Sequence, residues 1–78
     1  SKAAIFKNPR FNIKHSQSEK ILFLQNLPGI GVNKALSLLE TFGSIDKILT
    51  ADVSELAKTK GIGSKLANNI YSLIHSDF

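Results

Sequence analysis

Two stretches of this chain place a glycine, an isoleucine and a second glycine directly ahead of a helix-forming run. The first is Leu27-Pro28-Gly29-Ile30-Gly31, and the second, 32 residues later, is Thr59-Lys60-Gly61-Ile62-Gly63. Glycine lets the backbone turn tightly and lets another backbone come within hydrogen-bond distance. The isoleucine between the glycines, Ile30 or Ile62, anchors the turn by pointing inward. A helix then begins at once, so its unpaired first-turn amides and the positive end of its dipole face outward together. A phosphate is the natural partner of that arrangement. Lys34 and Lys65 fall in the first turns of the two helices and add positive charge, while Asn33 and Ser64 can donate directly to phosphate oxygens. Lys60 adds a further charge beside the second turn, which makes that copy the better electrostatic site.

The repetition extends beyond the turns. Leu24 is answered by Leu56, Ala35 by Ala67 and Leu38 by Ile70. A period in this range marks supersecondary units that bury their apolar faces against one another. Two such units related by a pseudo-twofold would reach phosphates on both strands of a duplex without reading bases. With about four phosphates neutralised, log K would fall against log salt with a slope of roughly −3 to −4.

The elements that must hold these turns read as helices throughout, since no segment alternates with a period of two. Ser16 or Ser18 can cap a first helix reaching about Gln25, and Ile21, Leu22, Phe23 and Leu24 predict that it is almost wholly buried. A second helix is expected over about 33–41, with Ala35, Leu36, Leu39 and Phe42 on one face and Gly43 ending it. A short connecting helix over 45–49 follows, capped by Ser44. Asp52 caps the next, with Glu55 at capping-box spacing. The last helix starts near Ser64 and reaches about His75, with Leu66, Ala67, Ile70 and Ile74 on one stripe. The expected fold is all-α: five short helices arranged as helix–hairpin–helix, connector, helix–hairpin–helix. Residues 1–16 read as a flexible arm or linker and 17–78 as the domain, with hairpins at 27–31 and 59–63.

Composition bounds the function. Seventy-eight residues, 42% hydrophobic, suffice for one small domain. The absence of cysteine excludes a disulfide framework and thiolate zinc sites. No apolar run approaches a membrane span and no signal peptide is apparent, so an intracellular protein without membrane partners is expected. The formal charge is +4 and the isoelectric point near 9.6, a bias toward polyanions. His15 and His75 have no companions at metal-ligand spacing, and no nucleophile–base pair or carboxylate cluster is present to suggest catalysis. Neither catalytic nor metal-binding residues are therefore assigned. Tyr71 fits the core or a dimer seam better than a base-stacking platform.

The phrase LPGIGVNKALSLLETFGSIDKILTADVSEL followed by KGIGSKLANNIYSLIH resembles the C-terminal tandem helix-hairpin-helix domain of the XPF/Hef family of structure-specific endonucleases over residues 17–78. The C-terminal domain of UvrC carries a similar phrase. The ending Ile74-His75-Ser76-Asp77-Phe78 resembles the I-H-x-x-F terminus of XPF-type domains. That resemblance implies a dimer, either homodimeric or with a paralogue, in which Phe78 lodges in the partner and Tyr71, Ile74 and His75 lie at the interface. It also implies forked, flap or duplex DNA as the ligand. Cleavage would belong to a separate nuclease domain, whose acidic cluster is not found here, so Mg2+ is expected only there and no cofactor for this stretch. The compartment would be cytoplasmic in an archaeon and nuclear in a eukaryote. Two other readings stay open: a protein-interaction domain with purely structural hairpins, and a UvrC-type DNA-binding domain.

Overall fold

The computed structural model describes residues 16–77, and those residues form five helices and no strand. They are α1 (Gln17–Leu24), α2 (Val32–Phe42), α3 (Ile45–Thr50), α4 (Val53–Ala57) and α5 (Ser64–His75). Residues 1–15 of the expected arm and Phe78 lie outside the described residues.

Local sequence explains each boundary. Ser16 caps α1 by accepting a hydrogen bond from the Glu19 amide, and the Glu19 carboxylate accepts from the Ser16 amide in return. Gly43 closes α2 in the left-handed region at φ 85°, its amide donating to the Leu39 carbonyl at 2.8 Å. Ser44 then accepts from the Lys47 amide to start α3. Asp52 and Glu55 form the expected capping box at α4, with the Asp52 carboxylate accepting from the Glu55 amide at 2.8 Å. That bond, aided by the Ser54 hydroxyl, holds the Asp52 carboxyl below its usual pKa.

The core gathers Leu24, Leu27, Ile30, Ala35, Leu38 and Leu39 from the first repeat with Leu56, Ile62, Ala67 and Ile70 from the second; Ile48 of the connector α3 and Ala51 complete it. The pairs legible in the sequence, Leu24 with Leu56, Ala35 with Ala67 and Leu38 with Ile70, are all 0% exposed. The hairpin hydrogen bonds repeat at the same offset. Leu27 N–H donates to the Leu24 carbonyl and Ile30 N–H to Leu27; Thr59 N–H donates to Leu56 and Ile62 N–H to Thr59.

Expectations for two helices are corrected. Helix α1 is not wholly buried: of its apolar residues only Leu24 is, while Leu22 is 66% and Phe23 49% exposed. Consecutive residues on a helix point about 100° apart, so four apolar neighbours cannot share one buried face. Helix α2 begins at Val32 and extends to Phe42, one residue beyond expectation at either end, and Leu38 rather than Leu36 joins Ala35 as fully buried. Helix α5 runs from Ser64 to His75 as expected, with Gly63 as its cap.

Candidate nucleic-acid interface

Both hairpins share one backbone solution. Gly29 and Gly61 adopt φ 73° and 85°, the left-handed region that glycine enters without strain. The following isoleucines, Ile30 and Ile62, are buried, so their side chains anchor the turns in the core. Gly31 and Gly63 are then extended, at φ −98° and −88°, and serve as the N-caps of α2 and α5.

The capping pattern separates these two helices from the rest. Helices α1, α3 and α4 each have a side chain bonded to a first-turn amide. Helices α2 and α5 have none. Their first carbonyl bonds are in place, with Ala35 N–H donating to Gly31 and Ala67 N–H to Gly63. The amides of the first turn lie ahead of those bonds and have no partner further back in the helix. A Cβ at Gly31 or Gly63 would meet nothing within 4 Å. Neither backbone angle nor internal space requires glycine there. Glycine there leaves no side chain beside the first-turn amides.

The two hairpins lie beside each other and clasp reciprocally. A Cβ on Gly29 would stand 2.8 Å from the Leu66 Cδ1 of α5, and one on Gly61 would stand 3.7 Å from the Lys34 Cγ of α2. Lys34 and Leu66 are themselves repeat equivalents at the 32-residue offset, so this exchange is the pseudo-twofold expressed in contacts. The true partner of Lys65 in the repeat is Asn33.

Between α2 and the second hairpin runs a groove of about 550 Å³, lined by Asn33, Lys34, Ser37, Glu40, Lys60 and Gly61, with Leu36 at its wall. The structure thus brings Asn33, Lys34, Lys60 and Gly61 together in one depression. Ser64 and Lys65, both exposed, sit in the first turn of α5 outside it. Ser37 and Glu40 were not singled out from sequence. They follow Lys34 at three-residue steps, which is the helical spacing that would have found them.

The remaining predicted residues cluster on the last turns of α5. Tyr71 and Ile74 pack against the core while His75 is exposed, and the Tyr71 and His75 rings stand 4.1 Å apart at 35°. Among the described residues no group of three or more His, Cys, Asp or Glu could hold a metal ion. No described helix is long and apolar enough to cross a membrane. Residues 16–77 hold six lysines and six acidic residues, so the whole formal charge of +4 resides in residues 1–15, on Lys2, Lys7, Arg10 and Lys14.

With this doubled hairpin in view, the family model of the SAM-like helix-hairpin-helix tandem matches residues 21–74. The chain belongs to that family. The tandem is 34% identical over 64 residues to UvrABC system protein C of Pseudomonas aeruginosa and 40% identical over 63 residues to that of Renibacterium salmoninarum. These matches cover 82% and 81% of the chain but 10% of each relative, so the chain spans about a tenth of their length. Among solved structures, XPF from Aeropyrum pernix superposes with a TM-score of 0.78 at 33% identity, over 85% of this chain and 31% of that one. The same protein in complex with DNA matches with the same score over 97% of this chain and 37% of its own. The resemblance to XPF thus extends from the doubled Gly-Ile-Gly to the fold, and the resemblance to UvrC extends over most of the chain's sequence.

Proposed function

We propose that this tandem helix-hairpin-helix is the DNA-binding and dimerisation module of an XPF/Hef-type structure-specific DNA repair endonuclease, working inside the cell. The hairpins contact phosphates of duplex or forked DNA without reading sequence. The observation that carries the reading is the capping pattern: the two helices that follow the hairpins are the two left without a side-chain cap, with glycine where a serine or aspartate would have satisfied them. The relatives agree in kind, since one similar structure holds DNA. Gly31, Asn33, Lys34, Lys60, Gly63, Ser64 and Lys65 present the contacts, and Gly29, Ile30, Gly61 and Ile62 shape the turns. Cleavage is assigned to a separate nuclease domain with its own Mg2+, and no cofactor is assigned to this module. Phe78, with Tyr71, Ile74 and His75, forms the dimer seam.

A charge-neutral helical unit limits the electrostatic grip of the hairpins, which gives residues 1–15 a share in holding the polyanion. The same neutrality, with Leu22 and Phe23 exposed, is what favours the second reading, a protein-interaction domain with structural hairpins. Fluorescence anisotropy with single-stranded, duplex and forked DNA at two salt concentrations separates the two. Salt-dependent binding that collapses in Gly31→Val plus Gly63→Val, with the helical circular dichroism unchanged, supports the module. Absence of DNA binding by the full chain refutes it. Sedimentation in parallel should show Phe78→Ala shifted toward monomer, and an unaltered dimer would remove Phe78 from the seam.

A further inference from the structure

We propose that Lys34, although it belongs to the helix of the first hairpin, delivers its charge to the phosphate held by the second. The inference rests on the DNA-binding reading and goes beyond it by making the second site a composite of both repeats and the two sites unequal.

The side chain's path decides this. A Cβ placed on Gly61 would stand 3.7 Å from the Lys34 Cγ and 3.9 Å from its Cε. Contact at both atoms means that the stem runs across the second hairpin rather than away from it. The ammonium is one bond beyond Cε, which puts it within reach of a group bound at the second hairpin. Lys34 is half-buried, as expected of a lysine that packs its stem and keeps its head in water. The groove on that side also contains Lys60, which comes from the second hairpin itself. Two cations from two repeats therefore flank Gly61, with the open amides of the Gly63-capped helix following directly.

The reciprocal position has no such charge. Leu66 occupies the place over Gly29 that Lys34 occupies over Gly61, and leucine offers a phosphate nothing. One position of the repeat has thus been given an apolar residue in one copy and a cation in the other. The second hairpin receives help across the pseudo-twofold; the first does not.

A double-mutant cycle in the full chain tests the assignment, with a fluorescein-labelled forked duplex as probe and anisotropy at several salt concentrations. Lys34→Met keeps the stem on Gly61 and removes the charge. Gly63→Val and Gly31→Val each place a side chain in open space at an extended backbone position, obstructing one site apiece. Losing one phosphate contact should reduce the salt slope by about 0.9 and the affinity by about eightfold at 0.1 M salt. Lys34→Arg should retain the affinity. The proposal expects the Lys34→Met loss to shrink below about twofold in the Gly63→Val background and to persist in the Gly31→Val background, as independent sites add and shared ones do not. A loss that survives Gly63→Val, or that vanishes only with Gly31→Val, overturns it. So does Lys34→Met binding like the parent. Failure of the parent chain to bind the fork is a different result, which removes the DNA-binding reading itself.

Discussion

The four hairpin glycines should divide into two that serve the fold and two that serve the ligand, and alanine at each tells them apart. Gly29→Ala places a Cβ at φ 73°, where the left-handed conformation costs an L-residue about 1–2 kcal/mol. It also drives that Cβ to 2.8 Å from Leu66 Cδ1, forcing Leu66 off its rotamer for about 1 kcal/mol more. The sum is about 2–3 kcal/mol, a large share of the ~5 kcal/mol expected of a domain this small. Gly61→Ala meets the same backbone strain at φ 85°, but its neighbour is the flexible Lys34 stem at 3.7 Å, so the cost stays at about 1–2 kcal/mol. Gly31→Ala and Gly63→Ala meet neither strain nor contact and should stay within about 0.5 kcal/mol of the parent. Urea unfolding followed by circular dichroism measures all four. At a slope near 1 kcal/mol/M, Gly29→Ala should unfold about 1 M earlier than Gly61→Ala. In a Leu66→Ala background that gap should close, because the atom that obstructs Gly29 is gone. Equal costs at Gly29 and Gly61, or a gap that survives Leu66→Ala, would refute the packing argument.

Two further expectations follow from the same geometry. Thr59 stands where the first repeat has Leu27; it is 3% exposed and its hydroxyl has no hydrogen-bond partner. Thr59→Val keeps the shape and removes the unpaired group, so it should stabilise by about 1 kcal/mol and raise Tm by roughly 4–8 °C in calorimetry; a lower Tm would mean that the hydroxyl is satisfied. Asp52, whose folded pKa is lowered by the Glu55 amide and the Ser54 hydroxyl, contributes stability that is fully present above its unfolded value of 3.8 and is lost as pH falls through the lower folded value. Carboxyl NMR should find its midpoint below 3.8, and Asp52→Asn should flatten the stability profile in that acid window; a midpoint at or above 3.8 contradicts the capping account.

Much of the fold was legible because its determinants are local. Ser16, Ser44 and Asp52 announce helix starts through bonds that span three residues, and Gly43 announces a stop through its own dihedral angle. The offset between the two Gly-Ile-Gly turns also carried the core pairing, since identical units bury identical positions. The buried face of the first helix is not legible in its sequence for a physical reason: a run such as Ile21 to Leu24 states hydrophobicity but not direction, and only the packing partner selects which residue goes inside. Leu24 won, leaving Leu22 and Phe23 to solvent.

The sequence by itself determined the doubled hairpin, its glycines, and hence the presence of two helix N-termini open to an anion. Tertiary structure alone decided which residue of one copy packs on the turn of the other. Along the chain Lys34 and Leu66 share one repeat position and differ in chemistry, and nothing in the sequence says which turn either side chain meets. The pseudo-twofold brings Lys34 beside Gly61 and Leu66 beside Gly29, because the second helix of each repeat packs next to the hairpin of the other. The Lys34 side chain, next to the first hairpin in sequence, thus stands beside the second in space.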